Sequence, residues 1–333
     1  MAGFTYFPFI LLISSLLLAS YGFASEGQYS DVPVVKGLSW SFYESSCPKL
    51  DSIVRKHLKK VFKKDIGQAA GLLRLHFHDC FVQGCDASVL LDGSASGPSE
   101  QEAPPNETLR PEAFEIIEDL RELVHKQCGR VVSCADITAL AAREAVFQKQ
   151  RMQNLPPPTS NTGTLLTELA KKKLDATDVV ALSGGHTIGI GHCTSFEDRL
   201  YPTQDATMDK TFAKDLKQIC PAKNFSATTV LDIRSPNKFD NKYYVDLMNR
   251  QGLFTSDQDL YTDSRTKDIV KSFAVDEELF FEQFVKSMIK MGQLSVLTGS
   301  KGEIRADCSV RNADNVKLTS VVEEEEEAAH SEL

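Results

Sequence analysis

The chain has 333 residues, of which 42% are hydrophobic, and a formal net charge of −9. That length is sufficient for one large or two ordinary domains, and the hydrophobic share is typical of a globular protein. The acidic balance argues against a nucleic-acid-binding protein, which needs a basic face for the phosphates.

Residues 1–24 have the features of a secretory signal peptide. An apolar run at residues 10–18 is interrupted only by Ser14 and Ser15, and Gly22 and Ala24 lie at the positions that a signal peptidase reads. The run is too short for a comfortable membrane span, and no later stretch approaches about 18 apolar residues. We therefore expect an exported chain without a membrane segment after cleavage of the signal.

Beyond the leader, apolar residues recur mainly at helical spacing, and few runs resemble strands. The pattern predicts a mainly α fold, with helices at residues 51–63, 66–75, 111–128, 133–147, 164–172, 176–182 and 276–291. The consecutive glutamates at residues 323–327 repel one another. We therefore expect the folded domain to cover residues 25–315 and an acidic, disordered tail to cover residues 316–333.

The most informative stretch is Leu-Arg-Leu-His-Phe-His-Asp-Cys-Phe at residues 73–81. Arg74 and His78 are four residues apart, so on a continued helix both side chains point from one face, with Phe77 beside them. Polar groups on an apolar helix are costly unless something polar or reactive lies against them.

Three interpretations of this stretch are open. An isolated His-x-His is most often a core histidine, here beside an arginine whose head group reaches solvent. The second interpretation is a zinc site with the ligands His76, His78, Cys80 and Cys85. Residues two apart on a helix face away from each other, however, so the two histidines share a metal only if the helix breaks. The third is a catalytic acid–base histidine with a cationic helper.

Residues 73–81 resemble the distal helix of the secretory plant (class III) haem peroxidases, and the resemblance runs from about Ser41 to Asn315 with one gap. It favours the acid–base interpretation. It implies a two-lobed, mainly helical peroxidase fold that holds one haem b between a distal part, about residues 41–150, and a proximal part, about residues 160–315. It also implies a secreted monomer that reduces hydrogen peroxide and oxidises small phenolic donors by one-electron steps.

The family's distal residues have counterparts at Arg74, Phe77, His78 and Asn106. By resemblance, His78 is the acid–base catalyst, Arg74 stabilises developing negative charge, and Asn106 accepts a hydrogen bond from His78. Asn106 also begins an N-glycosylation sequon, as does Asn224. A glycan would bar Asn106 from a pocket, so we expect Asn224 to be the glycosylated residue.

A second string, Ala-Leu-Ser-Gly-Gly-His-Thr-Ile-Gly at residues 181–189, resembles the family's proximal motif. The resemblance makes His186 the axial ligand of the haem iron and Asp257 the carboxylate that accepts its second N–H. Local sequence alone allows Asp257 to be a helix cap instead. Glycine at 184, 185 and 189 would let the backbone lie close to a flat ligand.

Oxygen-bearing residues near each motif resemble the family's two calcium sites. The distal set is Asp79, Val82, Gly84, Asp86, Ser88 and, through a water, Glu100; local sequence alone also fits an ordinary Asx-turn. The proximal set is Thr187, Asp232, Ser235 and Asp240. Lys238 would contribute only its carbonyl, so we expect its charge to point away from the site.

Eight cysteines in an exported chain predict four disulfides. Cys80 and Cys85 are a natural pair by proximity, whereas counting leaves the other pairings open. The resemblance implies Cys47–Cys128, Cys134–Cys308 and Cys193–Cys220.

The family pattern breaks near residues 147–155, where about 20 residues that line the haem edge in the family are missing. A splice variant, a gene-model error and a real deletion all fit this break. Pro156 falls where the family has a substrate-contacting proline. Asp136 would lose a buried arginine partner, at a cost of about 3–5 kcal/mol if it stays buried and charged, and Arg151 is the only replacement nearby.

Two other functions stay open from sequence. One is an inactive or haem-deficient peroxidase-like protein, because of the missing segment. The other is a calcium-dependent cell-wall-binding protein, which the net charge of −9 disfavours. The acidic tail allows a vacuolar address in place of the cell wall or apoplast.

Overall fold

The computed structural model describes residues 32–82, 84–93, 97–147, 159–222 and 227–312. The predicted signal peptide, Arg151, Pro156, Asn224 and the acidic tail lie outside these ranges. The chain divides into two compact units, Met1–Val34 and Val35–Leu333. Residues 32–34 are the described part of the first unit and are neither helix nor strand, so every element named below belongs to the second unit.

The prediction of a mainly helical fold is confirmed. In the described ranges the α-helices are α1 (Leu50–Lys64), α2 (Gly67–Val82), α3 (Pro111–Cys128), α4 (Cys134–Phe147), α5 (Thr162–Ala170), α6 (Ala176–Ser183), α7 (Lys210–Ile219), α8 (Lys242–Met248), α9 (Thr255–Thr262), α10 (Lys267–Val275) and α11 (Glu277–Met291). One small antiparallel sheet pairs β1 (Ile190–His192) with β2 (Thr228–Val230), with Ile190 opposite Val230. Among the described helices, none combines the length and the apolar character needed to cross a membrane.

Short polar side chains determine where several helices begin. The Ser133 hydroxyl accepts the backbone N–H of Asp136 at 3.0 Å at the start of α4. Asp175 caps α6, and Asp276 caps α11 by accepting the backbone N–H of Leu279 at 2.9 Å. Each cap satisfies a backbone donor that the first helical turn leaves unpaired. For this reason the predicted start of α6 agrees with the structure, and the predicted starts of α4 and α11 lie within one residue of the observed ones.

Two clusters of buried residues form the core. The larger combines side chains from α1–α6 with side chains from α8–α11, including a group of packed aromatic rings: Phe239, Tyr243, Tyr244, Phe273, Phe280 and Phe284. The smaller cluster is built around α7 and the cysteines Cys193 and Cys220. Because the larger cluster joins residues from before and after residues 148–158, the predicted distal and proximal parts share one core.

Four disulfides cross the structure: Cys47–Cys128, Cys80–Cys85, Cys134–Cys308 and Cys193–Cys220. Three of them are the pairs that the family resemblance implies, and Cys80–Cys85 is the pair expected from proximity. The zinc interpretation is wrong, because Cys80 and Cys85 are bonded to each other and offer no thiolate. Moreover, α2 continues unbroken through His76 and His78.

Asp136 has partners without an arginine. Its Oδ2 accepts the hydroxyl of Tyr43 at 2.6 Å and the hydroxyl of Ser133 at 2.6 Å. Burial and the neighbouring Asp136 raise the pKa of Tyr43 well above its usual value, so the phenol stays protonated and donates. The expectation that this carboxylate would be left unpaired is therefore wrong.

We predict that Tyr43→Phe lowers the free energy of unfolding by about 1–3 kcal/mol, because it leaves a partly buried carboxylate short of one donor. Denaturant unfolding of the disulfide-intact protein measures the change. Tyr261→Phe is the matched control, since no hydrogen bond of its hydroxyl is described, and it should change stability by less than about 0.5 kcal/mol. Equal losses in the two variants would contradict the role given to Tyr43.

Candidate active site

Helix α2 carries the distal motif. It runs from Gly67 to Val82 and therefore continues beyond residue 75, where the helix predicted from sequence ends. Arg74 and His78 thus lie one turn apart on a continuous helix. Phe77 stands almost perpendicular to His78, with ring centroids 5.7 Å apart. The helix thus presents a cation, an imidazole and an apolar ring side by side.

A chain of hydrogen bonds determines which nitrogen of His78 carries the proton. The Asn106 side-chain amide donates to the carbonyl of Glu100 at 2.7 Å, so its oxygen is the atom 2.6 Å from His78 Nδ1. An amide oxygen only accepts, so Nδ1 carries the proton and Nε2 carries the lone pair. Asn106 is 5% exposed, which agrees with the internal role expected for it rather than with glycosylation.

Arg74 is held in place by a loop that precedes α3. Its Nε donates to His78 Nε2 at 3.1 Å, which again makes that nitrogen the acceptor. Its terminal nitrogens donate to the carbonyl of Thr108, to the Thr108 hydroxyl at 2.7 Å and to the carbonyl of Pro105 at 3.1 Å. Thr108 and Pro105 were not identified from the sequence as partners of Arg74. The only sequence feature that points to them is their position in the Pro-rich loop after Glu100.

Burial and the positive charge of Arg74 both act on the imidazole. Burial lowers the pKa of Arg74 to about 10, and burial together with the guanidinium lowers the pKa of His78 to about 4. At neutral pH the site therefore combines a charged arginine with a neutral histidine whose Nε2 is free of a proton.

His186 lies in the short turn that follows α6. Its Nδ1 is 2.7 Å from Asp257 Oδ1 and donates to it. Its Nε2 is buried and has no hydrogen-bond partner among the described residues. An imidazole that is held through one nitrogen and bare at the other is suited to binding a metal.

Asp257 serves two groups with its two oxygens. Oδ2 accepts the backbone N–H of Phe254 at 3.0 Å, which is the capping contact at the start of α9. Oδ1 accepts from His186 and also from the hydroxyl of Tyr243 at 2.9 Å. Asp257 thus makes both the helix-capping contact and the contact to His186, and Tyr243 is a partner that sequence reasoning missed.

One pocket among the described residues is lined both by Phe77 of α2 and by His186, whereas Arg74, His78 and Asn106 are not among its lining residues. Its other lining residues are mostly apolar and come from α5, α6 and α9: Leu165, Leu169, Val179, Leu182, Ser183, Ser256 and Asp257. An apolar pocket with a bare imidazole nitrogen in its wall fits a haem group.

The two glycines that precede His186, Gly184 and Gly185, differ in the space around the position that a Cβ would occupy. A Cβ at Gly185 would meet no described atom within 4 Å, so the backbone there borders open space, as a flat ligand requires. A Cβ at Gly184 would lie 2.5 Å from the Phe280 ring and would also collide with the Tyr244 hydroxyl. Gly184 is therefore required by packing against α8 and α11, and the expectation that it serves ligand approach is wrong.

The turn after α2 gathers carboxylates with unsatisfied oxygens. Both Asp79 oxygens and Glu100 Oε2 are buried, and none of them has a hydrogen bond of good geometry among the described residues. The backbone N–H groups of Ala87 and Val89 lie near enough to Asp79 to act on its pKa, but too weakly to offset its burial. Burial, with the nearby charges of Asp86 and Glu100, raises the pKa of Asp79 to about 7. Asp86 also forms the Asx-turn, by accepting the Ser88 N–H at 3.0 Å. Crowded carboxylate oxygens of this kind fit a hard divalent cation. Of the remaining expected ligands, Val82 is the last residue of α2 and Gly84 is two positions further along the chain.

The expected proximal calcium residues also converge. The Thr187 hydroxyl donates to Asp232 Oδ2 at 2.9 Å, and the Ser235 hydroxyl donates to Asp240 Oδ1 at 2.9 Å. Thr187, Asp232 and Asp240 are almost completely buried. Since Thr187 directly follows His186 in the chain, this oxygen cluster adjoins the proximal histidine.

The charge of Lys238 does not point away from this cluster, contrary to expectation. Its Nζ lies 3.3 Å from Asp240 Oδ2 and 3.9 Å from Glu277 Oε2. The lysine side chain is long enough to reach a neighbouring carboxylate whichever way its own carbonyl faces. It neutralises part of the buried negative charge.

Comparison with known proteins identifies the family. The model of the peroxidase family matches residues 54–151 and 147–276. Peroxidase 12 of Arabidopsis thaliana is 56% identical over 347 positions, which cover 97% of this chain and 96% of that protein. Cationic peroxidase SPC4 of Sorghum bicolor is 54% identical over 327 positions, covering 90% of each. Peroxidase 15 of Arabidopsis thaliana is 41% identical over 294 positions, covering 80% of this chain and 87% of that protein.

The two matched pieces meet at residues 147–151, where the sequence departs from the family pattern. The alignment with Peroxidase 12 covers more positions, 347, than the 333 residues of this chain, so part of that relative has no counterpart here. The matches lie on both sides of the break and include both histidine motifs. The chain therefore belongs to the peroxidase family, among the class III haem peroxidases of plants.

Proposed function

We propose that this peroxidase binds one haem b through His186 Nε2 and uses His78, assisted by Arg74 and Asn106, to move the proton of hydrogen peroxide. The observation that carries the proposal is the buried, unpartnered Nε2 of His186, whose ring is held from behind by Asp257 at 2.7 Å. A nitrogen acceptor buried without a partner is costly, and an iron ligated there would relieve that cost.

A haem held by His186 would supply the two electrons that reduction of the O–O bond requires. His78 Nε2 takes the proton from one peroxide oxygen and returns it to the other, which leaves as water. Nε2 can act as the base because Asn106 holds the proton on Nδ1 at 2.6 Å, and the peroxide would take the place of the hydrogen bond that Arg74 Nε donates to Nε2. Arg74 stabilises the negative charge that develops on the leaving oxygen, since its guanidinium already lies 3.1 Å from Nε2.

Phe77 and Asp257 support these groups. Phe77 gives the pocket an apolar wall, and its ring stands beside the catalytic imidazole. Asp257 accepts the Nδ1–H of His186 and thereby makes the opposite nitrogen a stronger ligand.

Small phenols are the reducing substrates that we propose. Each turnover reduces one hydrogen peroxide molecule to two waters, which takes two electrons and two protons. Two phenol molecules supply them, and each gives one electron and one proton. Pro156, the residue expected to contact the donor, lies outside the described residues and stays a prediction.

The peroxidase assignment is tested by supplying hemin and Ca²⁺ to the purified protein. A Soret band and peroxide-dependent oxidation of guaiacol are the expected results, and a colourless protein would overturn the assignment. The inactive and wall-binding alternatives are not favoured, because neither requires the oriented pairs His78–Asn106 and His186–Asp257.

We also propose that the chain is a secreted monomer, addressed to the cell wall or apoplast, with the vacuole as the alternative address. Its four disulfides support an oxidising compartment.

Two calcium ions complete the proposal. One would be held by the distal set around Asp79 and Glu100, whose buried oxygens have no hydrogen bond of good geometry among the described residues. The other would be held by the proximal set around Asp232 and Asp240. Each ion would offset negative charge that is buried beside one of the two histidine motifs.

Removing calcium is expected to lower both the melting temperature and haem retention. An ion present at a hundredfold excess over its Kd stabilises the folded protein by about 2.7 kcal/mol per site. Calorimetry with and without a chelator measures the stability, and the Soret absorbance after gel filtration measures the retained haem. Adding Ca²⁺ back should reverse both losses.

The variant Asp79→Asn/Glu100→Gln separates the distal site from the proximal one. It should retain only the part of the calcium response that comes from the proximal set. A melting temperature that is indifferent to chelator in the unsubstituted protein would contradict both calcium sites.

A further inference from the structure

Asp257 accepts three hydrogen bonds, and one of them comes from a residue without an assigned role. Tyr243 on α8 is 1% exposed, and its hydroxyl donates to Asp257 Oδ1 at 2.9 Å. The same oxygen accepts the Nδ1–H of His186 at 2.7 Å. The tyrosine and the histidine therefore share the negative charge of a single carboxylate oxygen.

The surroundings of this shared oxygen are buried and largely apolar. Asp257 is 2% exposed and His186 is 4% exposed. The rings of Tyr243 and Phe254 stand edge-on to the imidazole, with centroids 6.1 and 5.5 Å away. In such surroundings a hydrogen bond to an ionised group is stronger than in water, so a change in one donor is felt by the other.

We infer that Tyr243 is a positioning residue that limits how much negative charge Asp257 transfers to His186, and so raises the reduction potential of the iron that His186 holds. The inference rests on the proposed role of His186 as the axial ligand. Without the tyrosine donor, Asp257 would accept more strongly from Nδ1–H. The imidazole would then become more anionic and would favour ferric over ferrous iron.

The test is Tyr243→Phe in the protein loaded with haem and calcium. The midpoint potential of the Fe(III)/Fe(II) couple should become more negative, and the iron–histidine stretching band of the ferrous protein should move to higher frequency. Both readouts are independent of turnover. Unchanged potential and band position would overturn the inference.

Tyr244 provides a matched control in the next position of the same helix. It is also fully buried, but its hydroxyl donates to the carbonyl of Val180 at 2.9 Å and does not contact Asp257. Tyr244→Phe removes an equivalent buried hydroxyl and should leave the potential and the band in place. Shifts as large as those of Tyr243→Phe would mean that loosened packing, not the carboxylate, is responsible, and would also overturn the inference.

A second variant tests the same inference even if Tyr243→Phe loses haem or folds poorly. Replacing Tyr243 by 3-fluorotyrosine retains the ring and the hydroxyl but makes the phenol a stronger donor, so the potential should become more positive. A shift in the negative direction, or none, would contradict the inference. Failure of the proposed function is recognised separately, because either the unsubstituted protein would then bind no haem or His186→Ala would retain it.

Discussion

The variant His186→Ala should lose haem retention, with affinity reduced by more than about 100-fold. Loss of a partner that only orients a metal ligand typically costs 10–100-fold in affinity, so loss of the ligand itself should cost more. In this protein the ligand is the only nitrogen of the pocket wall that is described as buried and unpartnered. Titration with hemin, followed by the Soret absorbance, measures the change.

Two controls separate ligand loss from general damage. His192→Ala removes a partly exposed histidine from β1 and should bind haem normally. Free imidazole should restore part of the haem binding of His186→Ala, because it can occupy the space that the side chain leaves next to Asp257. Unchanged haem content in His186→Ala would remove this residue as the ligand.

The local motifs could be assigned from sequence because their physical meaning is local. Arg74 and His78 lie on one face of α2 because helical geometry puts residues four apart in register. The helices at residues 51–63, 111–128 and 133–147 were predicted to within a residue of their observed ends, because each has a long apolar stripe and a defined terminus.

The helices α7 to α10 and both strands were not predicted, although α6, with eight residues, was. The helices α8 and α9 have seven and eight residues, and each strand of the sheet has three, so their periods repeat only once or twice and are weak signals. Helix α9 is the element that presents Asp257, and α8 presents Tyr243. The part of the proximal site that lies beyond His186 was therefore predicted from family resemblance and not from the period of the sequence.

Contacts between distant residues were also out of reach. Tyr43 and Asp136 are 93 residues apart, and nothing in the sequence between them indicates that one will replace a lost arginine. Arg74 and Thr108 are 34 residues apart, and Tyr243 and Asp257 are 14 apart. Side-chain hydrogen bonds of this kind depend on how elements pack, which the pattern of a single chain does not specify.

The rate of reaction with hydrogen peroxide should fall by about 10²–10⁴-fold in His78→Leu, which is the range typical of losing a positioned acid–base group. Leucine can neither take the peroxide proton nor return it to the leaving oxygen. Haem content should be unchanged, since His186 is intact and its contacts are to Asp257, Tyr243 and Phe254. Stopped-flow absorbance on mixing the haem-loaded protein with hydrogen peroxide measures the rate.

The neighbouring histidine of the same helix provides the control. His76 is fully buried, burial lowers its pKa to about 4, and its Nδ1 lies 3.6 Å from Cys80 Sγ. His76→Leu therefore exchanges one neutral buried side chain for another and leaves the contacts of His78 with Arg74 and Asn106 in place. Because a ring nitrogen of His76 lies within 4.8 Å of a carboxylate oxygen of Asp79, the comparison is made on the calcium-loaded protein, where the rate should stay within threefold of the unsubstituted protein, on the order of 0.6 kcal/mol. A loss of less than tenfold in His78→Leu, or an equal loss in His76→Leu, would mean that the imidazole of His78 does not transfer the proton.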